Sequence, residues 1–129
     1  MTLVEIAGDF LRGFLGVAFV YYGYFDLRPR AARKEEFLRW GFAPWVQRAG
    51  GILQLVAVVL LVAPETVAYG ALLLLAMMIF SVYVHLAREY QPRQIPVPVI
   101  LGILAGVTLY LYGDVAVGPL GTVFRALFP

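Results

Sequence analysis

The chain has 129 residues, of which 62% are apolar and only 14% are charged, and its net charge is +2. A soluble domain of this size has a large surface to keep in water and usually carries about 25% charged residues, so the composition excludes an ordinary water-soluble domain and indicates an integral membrane protein. The small net charge is not typical of nucleic-acid binding, and the absence of cysteine excludes disulfides, thiolate metal sites and thiol redox chemistry.

Four long apolar segments follow one another along the chain, and each is close to the length that crosses a hydrocarbon core of about 30 Å as a helix. They predict helices at residues 4–25, 45–63, 66–86 and 98–112. We expect one transmembrane domain that covers residues 1–129 and whose fold is all-α, a polytopic membrane four-helix bundle. The first residues lack the basic start of a cleavable signal peptide.

Prolines set most of the predicted helix boundaries. Pro64 cannot extend the second helix, and Thr66 is positioned to cap the third. The connection between these two helices is very short, so they are expected to form an antiparallel hairpin. Pro92, Pro96 and Pro98 keep the third connection out of regular helix and open the fourth helix.

The connection from residue 26 to residue 44 alternates charged with apolar residues. Phe37 and Trp40 are three residues apart and therefore share one face of a helix. This pattern predicts a short interfacial helix between helices 1 and 2, lying in the headgroup layer, where aromatic and arginine side chains are favoured. A solvated charged loop is the alternative.

The tail, residues 113–129, is apolar but is interrupted by Gly118, Pro119 and Gly121, so it is too broken for a fifth span. Residues 122–128 are predicted to form a short surface helix. The chain shows neither an internal repeat nor a low-complexity segment.

Basic residues predict the orientation, because cytoplasmic connections carry an excess of Lys and Arg. Most of them lie in or beside the connections that follow helices 1 and 3: Arg28, Arg30, Arg33, Lys34, Arg39, Arg48, Arg88 and Arg93. The opposite side has only Arg12 and Arg125. We therefore expect a multi-pass protein of a bacterial inner membrane, with these two connections in the cytoplasm and both termini outside.

Each predicted helix has one stripe of small or polar residues, where a neighbouring helix can approach closely. In chain order the stripes comprise Asp9, Arg12, Gly16, Phe19, Gly23 and Asp26; Gln47, Gly50, Gly51 and Gln54; Gly70, Met77, Met78, Ser81 and His85; and Gly102 and Gly106. The last two form a small-xxx-small pair, which we interpret as a packing contact. The four stripes together predict a compact bundle.

The depth of the polar residues predicts one cluster at the cytoplasmic face. Its members are Asp26, Gln47, Arg48 and His85. A carboxylate near a histidine favours the charged imidazolium and fixes its tautomer. The cluster is either a proton-handling or polar-ligand site, or a set of structural contacts that hold helix ends together.

The other polar residues of the spans have the same two interpretations. Asp9 and Arg12 are three residues apart and are expected to form an ion pair at the outer side. Gln54 lies closest to the middle of the membrane, where an unpaired amide is costly, and we expect it to hydrogen-bond between helices. The complete candidate ligand-binding set is Asp9, Arg12, Asp26, Gln47, Arg48, Gln54, Ser81 and His85.

Aromatic residues near the helix ends allow two roles. Tyr21, Tyr22, Tyr24 and Tyr83 either line a pocket for a quinone ring or anchor the helices at the membrane interface, which is the commoner role. No catalytic sequence motif is present, so we predict no catalytic residue. One histidine without cysteine builds neither a common zinc site nor bis-histidine haem ligation, so no metal or haem is expected.

Several short motifs occur in an order that resembles the DoxX-like family of membrane proteins. The matching segments are RGFLG (residues 12–16), Phe19, Gly23, FLRWGFAPW (37–45), GILQL (51–55) and YVHL (83–86). They correspond to the family's first helix, the entry to its second helix, its G-x-x-E-L segment and the histidine near the end of its third helix. The resemblance covers residues 12–112 and implies a four-helix membrane bundle.

Two positions depart from the pattern of the family that the chain resembles. The family often has a basic residue where this chain has Asp26, and a glutamate where it has Gln54. A role that depends on that charge pair cannot simply be carried over to this chain. The two changes together fit a rewired polar interior.

The resemblance also implies a link to redox biology, because the family takes its name from a subunit of a thiosulfate:quinone oxidoreductase. We expect a non-catalytic subunit or anchor of a membrane redox system that binds a quinone or a lipid between its helices. Its expected partners are membrane lipids and a redox enzyme or another membrane subunit, and a homo-oligomer is left open. The alternatives are a small transporter or proton-coupled carrier, a membrane-protein assembly factor and, with least support, an enzyme acting through His85 and Asp26.

Overall fold

Six α-helices make up most of the chain in the computed structural model, which describes residues 2–28, 31–88 and 92–128. The helices are α1 (Leu3–Leu27), α2 (Ala31–Arg39), α3 (Pro44–Leu60), α4 (Val67–Ala87), α5 (Pro96–Tyr112) and α6 (Gly118–Leu127). The described residues contain no strand, so the all-α prediction is confirmed. Arg30 and the side chain of Arg33, which contributed to the predicted orientation, lie outside what is described.

The first helix was predicted at residues 4–25 and is slightly longer at both ends. A capping box fixes its start. The Thr2 hydroxyl accepts a hydrogen bond of 3.2 Å from the Glu5 backbone N–H, and the Thr2 N–H donates one of 3.3 Å to the Glu5 carboxylate. Each bond satisfies a group that a helix end otherwise leaves unpaired. The sequence contains this signal, but it was not used in the prediction.

The helix α3 ends at Leu60 and not at the predicted residue 63. Thr66 was predicted to cap the start of α4, but its side chain makes no such bond. The Thr66 hydroxyl instead donates to the carbonyl oxygens of Leu60, at 2.7 Å, and Ala63, at 3.2 Å. The hydroxyl therefore stabilises the end of α3 and the turn that follows it.

Prolines open the last two helices earlier than predicted. The helix predicted at 98–112 begins at Pro96, since a proline in the first helical turn lacks only an N–H that would have no partner. The tail helix predicted at 122–128 is Gly118–Leu127, because Gly118 takes a φ of +70° and Pro119 then starts the helix. The Tyr69 hydroxyl donates to the Val117 carbonyl and thereby holds this end of α6 against the start of α4.

The interior is formed by α1, α3, α4 and α5, in which α1 contacts α3 and α5, and α4 contacts the same two helices. All four contribute to one buried cluster, with Leu61 from the turn after α3: Leu15, Phe19, Ala57, Leu61, Val67, Leu74, Leu101 and Ala105. These side chains fix the arrangement of the helices around one apolar core.

Glycines let two pairs of helices approach closely. A Cβ atom on Gly51 would lie 2.9 Å from the carbonyl oxygen of Gly23 and 3.1 Å from the Cβ of Asp26, so the backbones of α1 and α3 are nearly in contact. A Cβ atom on Gly70 would lie 2.7 Å from the carbonyl oxygen of Ala57, which brings α4 equally close to α3. Any larger residue at these positions would push the helices apart.

Other glycines of the predicted stripes lie in open space. Gly16, Gly50 and Gly106 have no described atom from a neighbouring helix within 4 Å of where a Cβ atom would be. A Cβ atom on Gly102 would lie 3.3 Å from the Cβ of Met78. The predicted Gly102–Gly106 pair therefore makes a contact within the chain at only one of its two members.

The outer surface of the described helices is strongly apolar. Two stretches are long and apolar enough to cross a membrane, Val67–Ala87 and Pro92–Val115, and Trp45–Leu60 is a shorter apolar helix. Large side chains between 62% and 75% exposed include Phe10, Val17, Val59, Val62, Ile79 and Ile103. Apolar surface of this extent is unfavourable in water and suits contact with acyl chains.

Neighbouring glycines of α3 test the close contact between α1 and α3. Gly51→Ala should destabilise the protein, because overpacking costs about 1–3 kcal/mol, whereas Gly50→Ala adds the same methyl group to open space and gains about 1 kcal/mol of helix propensity. Thermal unfolding in detergent, followed by circular dichroism, should show a lower midpoint for Gly51→Ala and an unchanged or higher one for Gly50→Ala. Equal midpoints for the two variants would contradict the packing described.

Candidate functional site

A cavity of about 790 Å³ opens between α1, α2, α3, α4 and the start of α5. Small-molecule sites in proteins typically have volumes of about 300–1,000 Å³, so this cavity is large enough for a ligand. Eight aromatic side chains contribute to its wall: Phe19, Tyr21, Tyr22, Phe25, Phe37, Trp40, Phe42 and Phe80. A wall of this composition suits a hydrophobic molecule with a flat ring or an extended chain.

Five of the eight predicted site residues lie on the wall of this cavity. They are Asp26, Gln47, Gln54, Ser81 and His85. Arg48, which was predicted to join them, is exposed and is absent from the described wall, because it lies two positions from Gly50 and therefore on the side of α3 opposite the cavity.

The four predicted tyrosines divide between the two roles that the sequence allowed. Tyr21 and Tyr22 line the cavity. Tyr24 and Tyr83 are more than half exposed and do not belong to the described wall. Tyr21 is itself 59% exposed, so the anchoring role of Tyr24 and Tyr83 stays a prediction.

A short hydrogen bond at the cavity joins α1 to α3. Gln54 Nε2 donates a hydrogen bond of 2.6 Å to Asp26 Oδ2. Gly23 contacts Leu55 while Gly51 contacts Leu27, which is the pairing of antiparallel helices. Side chains lean towards the N-terminus of their own helix, so Asp26 and Gln54 converge across the glycine contact from opposite directions.

Two glutamines of α3 keep part of their hydrogen-bonding capacity unused. Gln54 is 6% exposed and Gln47 is 3% exposed. Gln54 Oε1 and Gln47 Nε2 have no hydrogen-bond partner among the described residues. A buried polar atom without a partner costs about 1–3 kcal/mol. Both side chains line the cavity, so a small rotation of each would present one acceptor and one donor to a ligand.

His85 and Trp40 close the cavity where α2 meets the end of α4. Both side chains are 5% exposed, and their rings pack edge to face with centroids 5.4 Å apart. Phe42 extends this aromatic contact to Phe80 on α4 at 5.7 Å. These contacts follow α2. Residues 31–39 form a helix, so the alternative of a charged loop was wrong. The position of this helix in the headgroup layer stays a prediction.

Asp9 and Arg12 lie at the other end of the protein and form the predicted contact, with Arg12 Nη1 at 3.9 Å from Asp9 Oδ1. Arg12 Nη2 donates a hydrogen bond of 3.1 Å to the Val62 carbonyl, and the Tyr112 hydroxyl donates one of 3.4 Å to Asp9. These bonds tie α1 to the end of α3 and to α5. Neither Asp9 nor Arg12 belongs to the described wall of the cavity.

The described residues contain no group of three acidic, histidine or cysteine side chains that could hold a metal ion. The polar groups of the cavity wall are amides, hydroxyls, a carboxylate, an imidazole and the guanidinium of Arg93, which are suited to hydrogen bonding with an organic head group. A molecule with a polar head group and an apolar remainder is the class of ligand that this wall fits.

The sequence pattern of one known family matches residues 10–108, which is well over half of the chain. The chain belongs to the DoxX-like family. This confirms the resemblance seen in the short motifs. No curated protein and no solved structure matched the chain. Membership in the DoxX-like family, together with two helices long and apolar enough to cross a bilayer, indicates that this DoxX-like protein resides in a membrane.

The two positions at which this DoxX-like protein departs from the expected family pattern are hydrogen-bonded to each other. A basic residue at position 26 opposite a glutamate at 54 would form an ion pair. Here the acid is Asp26, and its partner Gln54 supplies an amide donor. The two departures are therefore one structural change that keeps donor and acceptor matched. Sequence reasoning missed this contact because it placed Asp26 and Gln54 at different depths.

Some residues of the cavity were not predicted, although the pattern of α3 could have indicated them. Val46 and Leu53 lie on the wall together with Gln47, Gly50 and Gln54. Spacings of three, four and seven residues place all five on one side of a helix. The apolar members were missed because only small and polar residues were used to define the stripe.

The contact between Asp26 and Gln54 can be tested by its effect on stability. Gln54→Met keeps a similar side-chain length but leaves the partly buried Asp26 carboxylate without this donor, so the free energy of unfolding should fall by about 1–3 kcal/mol. Gln94→Met makes the same exchange at an exposed position and should have little effect. Denaturation in mixed detergent micelles measures both variants, and the prediction fails if the two lose the same stability.

Proposed function

We propose that this DoxX-like protein is a non-catalytic subunit or anchor of a membrane redox system and that it binds a quinone or a lipid in the cavity beside α2. The observation that carries the proposal is a cavity of about 790 Å³ whose wall combines aromatic side chains with the buried amides of Gln47 and Gln54. A ring or chain would occupy the apolar part, and a polar head would bond to the amides.

The proposed topology has four membrane spans, formed by α1, α3, α4 and α5. At 25 residues α1 is long enough to cross a bilayer, and the charges of Asp9 and Arg12 within it face each other. The basic residues of the two connections favour the cytoplasm for the side that carries α2. Both termini would then lie outside, and α2 would lie in the cytoplasmic headgroup layer.

A small transporter, the alternative from the sequence, requires a polar path between the cavity and the Asp9–Arg12 contact. Leu15, Phe19 and Ala105 belong to the buried core between these two regions, and each is at most 1% exposed. This dry packing favours a binding subunit over a carrier.

Cysteine labelling tests the topology cleanly, because the natural chain has no cysteine. We expect a membrane-impermeant maleimide to label Thr2→Cys and Thr122→Cys in intact spheroplasts, and to label Glu35→Cys only after the membrane is opened. The reverse pattern would overturn the orientation, and labelling of Thr2→Cys and Thr122→Cys on opposite faces would overturn the even number of spans.

Ligand binding can be tested by filling the cavity. Ala76 lines it from α4, whereas Ala87, at the end of the same helix, lies outside the described wall. Native mass spectrometry of protein purified in lipid nanodiscs should detect a bound quinone or lipid in the wild type and in Ala87→Phe, and several-fold less in Ala76→Phe. Absence of any bound hydrophobic molecule, even after quinone and lipid are added, would contradict the proposed function.

A further inference from the structure

The two unpaired amide atoms of the cavity have opposite hydrogen-bonding character. Gln54 Oε1 can only accept a hydrogen bond, and Gln47 Nε2 can only donate one. The residues are seven positions apart on α3, so they share a face and are separated by roughly 10 Å along the helix axis. A ligand that uses both atoms must therefore carry two polar groups held apart from each other.

The orientation of the Gln54 amide is set by its neighbour. Asp26 presents a carboxylate oxygen 2.6 Å from Gln54 Nε2, and an ionised carboxylate is an acceptor only. The NH₂ group of Gln54 therefore faces Asp26, which leaves Oε1 as the buried amide atom that still lacks a partner. Asp26 is in this sense a positioning residue, because it decides that the cavity presents an acceptor at this point.

We propose, on the basis of the proposed function, that the cavity selects the reduced form of a lipid-tailed quinone, the 1,4-hydroquinone, over the oxidised form. One ring hydroxyl donates to Gln54 Oε1, and the oxygen on the opposite side of the ring accepts from Gln47 Nε2. Both amide atoms are buried, and both side chains line the cavity; a small rotation of each side chain brings its unpaired atom to the ring, with the bond from Gln54 Nε2 to Asp26 kept.

The preference follows from the difference between a hydroxyl and a carbonyl. The two oxygens of an oxidised quinone are acceptors only, so one can bond to Gln47 while the other meets the lone pairs of Gln54 Oε1. Binding the oxidised form would leave Gln54 Oε1 buried without a donor, which is unfavourable. A diacylglycerol has a hydroxyl that can donate to Gln54, but it has no rigid ring to hold a second oxygen at Gln47.

Binding to three ring ligands with the same decyl tail tests the proposal: a 1,4-benzohydroquinone, its oxidised quinone and its dimethyl ether. The protein is held in phosphatidylcholine nanodiscs under argon, with dioctanoylglycerol as a fourth probe, and the dissociation constants are measured by equilibrium dialysis. We expect the hydroquinone to bind about tenfold more tightly than the quinone or the ether. A difference of this size corresponds to the free energy that is lost when one buried hydrogen bond is not made.

Variants connect the preference to the residues. Gln54→Met should bring the affinities for hydroquinone and ether to within roughly twofold, because the acceptor is lost, while the oxidised quinone, which no longer meets the lone pairs of Gln54 Oε1, binds at least as tightly as in the wild type. Gln47→Met should weaken all three ring ligands. Asp26→Asn gives Gln54 a partner that can both donate and accept, so either orientation of the amide is satisfied and the preference should fall.

The outcomes separate this inference from the proposed function. If hydroquinone and oxidised quinone bind equally, the selection of the reduced form is wrong but a quinone-binding cavity remains. If dioctanoylglycerol binds most tightly, the ligand is a lipid alcohol and the ring assignment is wrong. If none of the four probes binds, the proposal and the function on which it depends both fail.

Discussion

The near contact of the α1 and α3 backbones at Gly23 and Gly51 constrains the rest of the candidate site. It brings Asp26 within reach of Gln54, and this bond in turn decides which atom of the Gln54 amide faces the cavity. A methyl group on Gly51 would lie 2.9 Å from the carbonyl oxygen of Gly23 and would push the two helices apart at this bond. The polar chemistry of the cavity therefore depends on two residues that have no side chain.

The placement of polar groups follows from the cost of burying them in an apolar surrounding. Away from water an amide or a carboxylate must find a partner within the protein or in a ligand. Arg12 and Asp9 meet this requirement with each other and with Val62 and Tyr112 at one end of the helices. At the other end Asp26 and Gln54 satisfy it only in part, since Gln54 Oε1 remains unpaired. An aromatic cavity lies at this second end, so the incomplete pairing and the space for a ligand coincide.

Periodicity and proline positions were sufficient to predict the four long helices, and the spacing of Phe37 and Trp40 was sufficient to predict α2. The polar residues of the cavity could be named because polar side chains are rare in apolar helices. Their contacts could not, because a sequence shows the face and the approximate depth of a residue but not how far two helices are offset along their axes. Gly16 and Gly51 look equivalent in the sequence, yet only Gly51 lies in a close contact. Arg48 was misplaced for a simpler reason, since residues two positions apart on a helix, such as Arg48 and Gly50, point to opposite sides.

The position of Trp40 gives the protein a natural optical reporter. The chain has two tryptophans, and Trp40 is buried on the cavity wall beside His85 whereas Trp45 is 69% exposed. Replacing Trp45 with phenylalanine would leave a single indole whose emission depends on the immediate surroundings of the cavity. Events at the cavity could then be followed in real time by intrinsic fluorescence, without attaching a dye to the protein.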